Sequence, residues 1–228
     1  MPRLKTIAAV FALSAAFISA HASPSAPRAG ADYTAVTPPQ PVQASGKKIE
    51  VIEFFMYHCP ACYSLEPALA EWVKQQGDNI QFRRIHVPHT GNDDPEAHLF
   101  LALDALQREN ALHDKVEATW HVEHHRLSSD ADNLDWAVKN GIDKAQFLSV
   151  YNSFSVLAKL KNLGRMAENY GVDSTPTLVV DGRYLTNPAM IGGANADLTR
   201  ENVDKATMEV LDKLVATARK AHGDAPAK

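Results

Sequence analysis

The sequence predicts an α/β protein: a small mixed sheet flanked by helices and interrupted by a helical insertion. Three observations carry this. Residues 48–57 and 80–87 are short apolar runs rich in Ile, Val and Phe, as in buried strands. Helical patterning then holds for about 80 residues after Pro88. Strand signal returns on either side of Asp181-Gly182, a two-residue hairpin turn. The composition agrees: 228 residues, 45% apolar and 22% charged, can bury a core without disulfide staples. It excludes collagen-like, mucin-like and wholly disordered chains.

The chain opens with a leader. Arg3 and Lys5 precede an uncharged apolar run over Thr6 to Ser19, and Ala20-His21-Ala22 supplies the small residues of a cleavage site. The run is about 14 residues, short of the ~20 that a membrane anchor needs. Residues 1–22 are therefore expected to be a signal peptide. Cleavage removes two basic residues and no acidic ones, moving the net charge from −4 to −6. No basic stripe with interleaved aromatics appears, so nucleic acid is not expected as a partner.

The expected domain, residues 23–228, begins with a Pro- and Ser-rich arm in which Tyr33 to Val36 alone looks like a strand. A core strand follows at Lys48 to Tyr57. Pro60 then suits the first position of a helix that Gly77 ends, with Pro67 inside it as a kink. Ile80 to Val87 is a second core strand. The insertion, at about 92–160, starts with a helix capped by Asp94-Pro95 and continues in helices near 111–121, 130–140 and 143–153; a further helix near 156–170 leads out of it. The hairpin Thr177–Val180 and Arg183–Leu185 comes next, and an amphipathic helix from about Leu198 to Ala221 closes the chain.

The chemistry centres on Cys59-Pro60-Ala61-Cys62, the only two cysteines in the chain. A bridge between such near neighbours closes a tiny loop and removes little unfolded-state entropy, so it is a poor staple. At a helix start, unpaired amides and the positive end of the dipole favour the Cys59 thiolate. Cys62, one turn on, is expected to be shielded while Cys59 is exposed. Half of a zinc site is the competing reading. It needs a second ligand pair, for which only His121, His124 and His125 offer themselves, in an acidic stretch expected to be exposed. An inert pair is the third.

Val51 to Cys62 resembles the thioredoxin superfamily, and the long helical insertion makes the chain similar to its DsbA branch. Pro67, Thr175-Pro176 and Asn187-Pro188 fit the same pattern, over roughly residues 33–220. The resemblance implies a thioredoxin-like mixed sheet and a monomeric periplasmic dithiol oxidase. It implies unfolded, cysteine-containing exported proteins as substrates and a membrane DsbB-like, quinone-linked reoxidant. It calls for no cofactor beyond the Cys59–Cys62 disulfide, and for no metal. Glu53 matches the family's buried acid, with a raised pKa and a role as proton partner of Cys62; the alternative is a solvated acid at a sheet edge. Pro176 matches the cis-proline, which leaves the Thr175 backbone beside the cysteines for an extended substrate; an ordinary trans turn is the alternative. His58, Pro60 and Ala61 belong to the same substrate-facing rim, His58 either adding positive charge or being a plain surface residue. Trp72, Trp120 and Trp136 are expected in the core.

Two departures bear on direction. Ala61 stands where typical DsbA proteins carry His, and Thr175 where many carry Val. An isomerase or reductase kept reduced is therefore the nearest rival. A non-enzymatic holdase or zinc-binding module is the rival from another class.

Overall fold

The computed structural model of the protein describes residues 24–223. The expected leader and the last five residues lie outside them. A five-stranded sheet forms from β1 (Thr34–Ala35), β2 (Ile49–Phe55), β3 (Ile80–His86), β4 (Thr177–Val180) and β5 (Tyr184–Thr186), in the order β1-β5-β4-β2-β3. β2 runs parallel to β3 and antiparallel to β4. All seven residues of β2 are buried, because helices cover both faces of the sheet.

On one face, Ile49 and Val51 pack with Leu65, Leu69 and Trp72 of α1 (Pro60–Gln76) and with Val210, Leu211 and Leu214 of α9 (Arg200–Gly223). Ile52 and Phe54, on the other face, and Phe55 at the end of β2 belong to a second cluster supplied by the helices that follow β3: α2 (Pro95–Ala105), α3 (Glu109–His121), α4 (Asp130–Lys139), α5 (Lys144–Tyr151), α6 (Phe154–Leu160) and α7 (Leu163–Tyr170). Asp94, Ser129, Asp143 and Ser153 each cap their helix through the side chain, so those starts are set locally. Among the described residues no helix is long and apolar enough to cross a membrane.

Three local expectations need correction. The single helix expected over 156–170 is two, α6 and α7. Asn162 turns its side-chain amide onto the Ala158 carbonyl at 2.7 Å and competes with continuation of the backbone ladder. A short helix, α8 (Pro188–Ala194), was not expected, although Asn187 caps it through the Met190 amide just as Asp94 caps α2. The second hairpin strand is Tyr184–Thr186, one residue later than expected. Asp181 and Gly182 both take positive φ, 56° and 61°. A β-carbon on Gly182 would sit 2.2 Å from the Gln40 carbonyl oxygen, so glycine is required there for space as well.

Candidate active site

β2 ends at Phe55, and the chain turns through Tyr57 and His58 onto Cys59, the residue preceding α1. Pro60 occupies the first helical position, where its missing N–H costs nothing. Cys59 and Cys62 are free thiols. The Cys59 thiol donates to the Thr175 carbonyl at 3.4 Å, across 116 residues of sequence. The Thr175–Pro176 peptide is cis.

The two thiols differ sharply. Cys59 is pulled from its ordinary 9.0 down to about 5. A hydrogen bond from the Cys62 thiol is the largest cause; burial opposes it, and Thr175 and the amides of Cys62 and Ala61 add to it. The Thr175 hydroxyl is buried and has no hydrogen-bond partner. Cys62 is pushed far up by its bond to Cys59, by burial and by the charges of Cys59 and Glu53. The expectation of an exposed Cys59 is corrected: it is 8% exposed against 1% for Cys62. The Thr175–Pro176 segment covers it, which no local pattern around Cys59 records. Pro60 and Ala61, by contrast, are exposed beside it.

Glu53 lies mid-strand in β2, flanked on both sides by paired strands and 1% exposed, so it is not an edge acid. Burial raises its pKa from 4.5 to about 7, against the pull of Arg84. Arg84 is the unforeseen part. It sits opposite Glu53 in the parallel β2–β3 register, with Nε donating to Glu53 at 2.9 Å. The same guanidinium donates to Glu66 of α1 and lies 3.9 Å from Glu109 of α3. His113 joins them, with Nδ1 2.7 Å from Glu109 and Nε2 3.6 Å from both Glu66 and Glu117. Burial would lower the His113 pKa, but the hydrogen bond to Glu109 and the nearby carboxylates of Glu117 and Glu66 raise it to about 11. Four buried carboxylates thus face two cations. Full ionisation would bury a net charge of −2, which explains why one acid, Glu53, holds its proton near neutrality.

His58 is half-buried. Its ring Nδ1 lies 2.8 Å and 3.0 Å from the two Glu96 oxygens, and its amide donates to the same carboxylate at 3.1 Å. That hydrogen bond is the main reason its pKa rises. Glu96 falls to about 2: burial would raise it, but His58 and His86 outweigh that. His124 and His125 are exposed as expected, but His121 is half-buried and engaged. Its Nε2 is 2.8 Å from the Tyr57 carbonyl and its ring stacks on Tyr63 at 4.5 Å. Among the described residues no group of three or more His, Cys, Asp or Glu is arranged to hold a metal ion. Trp72 and Trp136 are core residues bonded to Asp212 and Thr119. Trp120 is only partly buried, 5.8 Å from the His58 ring.

A sheet of this topology, with a low-pKa thiol at a helix start and a shielded thiol one turn on, defines a thioredoxin-fold thiol oxidoreductase. The thioredoxin family model matches residues 45–213. The thiol:disulfide interchange protein DsbA of Burkholderia cepacia is 38% identical over 196 residues, 86% of this chain and 88% of that one. The DsbA of Pseudomonas aeruginosa PAO1 is 32% identical over 193 residues, 85% of this chain and 86% of its own length. The crystal structure of Pseudomonas aeruginosa DsbA superposes with a TM-score of 0.75 at 31% identity, over 86% of this chain and 96% of that one. The chain belongs to the DsbA family of thiol:disulfide interchange proteins.

Proposed function

We propose that the protein is a periplasmic dithiol oxidase that donates the Cys59–Cys62 disulfide to newly exported, unfolded proteins. The observation that carries this is the split between the thiols: Cys59 near 5 and Cys62 far above its ordinary value. A thiol that is stable as thiolate stabilises the reduced form and makes the disulfide a strong oxidant.

A substrate thiolate attacks Cys59 Sγ, the Cys59–Cys62 bond breaks, and a mixed disulfide forms. The Cys62 sulfur leaves with the electron pair and takes a proton, which the Glu53 carboxyl supplies. The substrate's second thiolate attacks its own mixed-disulfide sulfur, and Cys59 departs as thiolate. The Cys62 thiol, now protonated, and the amides of Ala61 and Cys62 hold that charge. Two substrate thiols become a disulfide, and their two electrons stay on the enzyme dithiol. The Thr175–Pro176 backbone pairs with the extended substrate across the rim formed by His58, Pro60 and Ala61. The disulfide carries the electrons, so no cofactor or metal is required. A DsbB-like, quinone-linked membrane partner reoxidises the enzyme, which works as a monomer delivered by its leader to the periplasm.

The second reading is an isomerase or reductase kept reduced, favoured by Ala61 and Thr175. Trapping the two thiols in intact cells separates the two: an oxidised pair supports the oxidase and a reduced pair the rival. Thermal unfolding gives an independent check, because an oxidase melts higher in its reduced form. Replacing both cysteines by serine abolishes the activity of an oxidoreductase and leaves that of a holdase intact.

A further inference from the structure

A cavity of about 630 Å³ is walled in part by His58, the residue that precedes Cys59. His89, Trp120, His124 and Arg126 also line it. They arrive from the β3–α2 loop, the end of α3 and the loop beyond α3. The His58 ring centroid is 5.0 Å from that of His89 and 5.8 Å from that of Trp120. His124 takes a left-handed backbone, φ 54°, in the loop that brings it there.

The charges of this cavity are uneven. One carboxylate, Glu96, lines it, and it is already committed to His58 and, at 3.6 Å, to His86. Asp94, two residues before it in sequence, is taken up by the amides of His89, Thr90 and Ala97. Arg126 is exposed and makes no ion pair among the described residues. A free guanidinium and two imidazoles not tied to a carboxylate therefore face a cavity whose only acid is neutralised, in a chain of net charge −4. A planar guanidinium takes a carboxylate through two parallel hydrogen bonds.

We infer that this cavity is a substrate subsite for an acidic side chain, Asp or Glu, within two residues of the substrate's reacting cysteine. The inference rests on the interchange reading above and names what that site selects. Successive Cα atoms of an extended substrate lie about 3.8 Å apart, and His58, which walls the cavity, is covalently joined to Cys59. The subsite selects by rate, since charge near a reacting centre acts first on encounter.

The test uses the oxidised protein and four single-cysteine peptides that differ only in one neighbour of the cysteine: Glu, Gln, Lys or Phe. Mixed-disulfide formation at Cys59 is followed by acid quench and mass spectrometry. Each rate is normalised to the same peptide's reaction with oxidised glutathione. At low salt the Glu peptide is expected to react about three- to fivefold faster than the Gln peptide, and the Lys peptide slowest. The advantage falls to about one in Arg126→Gln, inverts in Arg126→Glu, and shrinks at about 0.5 M salt. Equal Glu and Gln rates in the unaltered protein overturn the subsite and leave the interchange reading standing. A Phe peptide faster than the Glu peptide also overturns it, as does a Glu advantage that survives both Arg126 variants. No mixed disulfide with any peptide overturns both readings.

Discussion

Glu53→Gln tests the link between the buried charge cluster and the chemistry of Cys62. The substitution keeps shape and one hydrogen-bond acceptor for Arg84 but removes the titrating proton. Arg84 keeps Glu66 and Glu109 as partners, so the fold should hold. Two effects follow from the Glu53 pKa of about 7. The first is kinetic. When reduced enzyme reacts with oxidised glutathione, Cys59 forms a mixed disulfide and Cys62 resolves it, losing a proton. Only ionised Glu53 can accept that proton, so resolution in the unaltered protein should quicken with pH through a midpoint near 7. In Glu53→Gln the midpoint disappears, and at pH 8 resolution slows by about 100-fold, the low end of general-base contributions.

The second effect is on stability. A folded-state pKa raised from 4.5 to about 7 means the native state holds a proton that the unfolded chain has released. Stability from this group is therefore lost as pH rises through that window. At about 1.4 kcal/mol per pKa unit the loss is about 3 kcal/mol, an upper bound because Arg84 is coupled to it. Glu53→Gln lacks the loss, so its stability relative to the unaltered protein should improve between pH 5 and pH 8. Acid-quenched mass spectrometry of the glutathione adduct reads the first effect and urea unfolding at the two pH values the second. A midpoint near 7 that persists in Glu53→Gln would refute the assignment of the proton to this residue.

Three further outcomes are expected. Ultraviolet titration of the reduced protein should show thiolate appearing with a midpoint of about 5, and limited alkylation at pH 6 should label Cys59 in preference to Cys62; equal labelling would contradict the split. Glu96→Gln should lower the His58 pKa and destabilise the protein by about 1–3 kcal/mol at pH 7. Glu96 has a depressed pKa of about 2, so its stabilisation is present above the ordinary carboxylate value and fades as pH falls toward 2; a stability gap that fails to narrow on acidification counts against the pairing. Ala61→His places a further donor near the Cys59 sulfur and should raise the reduction potential by about 30 mV or less in glutathione equilibration. An unchanged potential would leave the thiolate's stability to the Cys62 thiol, Thr175 and the backbone amides.

The sequence alone determined the elements whose causes are local. Cys59-Pro60 opens α1 because proline fits the first turn, and Cys62 follows one turn later. Asp181-Gly182 makes the hairpin because both positions need positive φ. Asp94-Pro95 caps α2, and Asn187-Pro188 carried the same signal for α8 in a stretch too short to register as helical. The burial of Glu53 was also legible, as the one charge within an apolar run. Its partner was not. Arg84 meets Glu53 only through the parallel register of β2 on β3, and a slip of one residue would turn it to the other face. Glu66, Glu109, His113 and Glu117 reach the same cluster by the packing of α1 and α3 against those strands. The cover of Thr175 over Cys59, and the pairing of His58 with Glu96 across 38 residues, likewise depend on how distant elements dock. Local propensity fixes where an element starts and which face is apolar; the partner of a buried charge is fixed by register and packing, which the completed fold alone specifies.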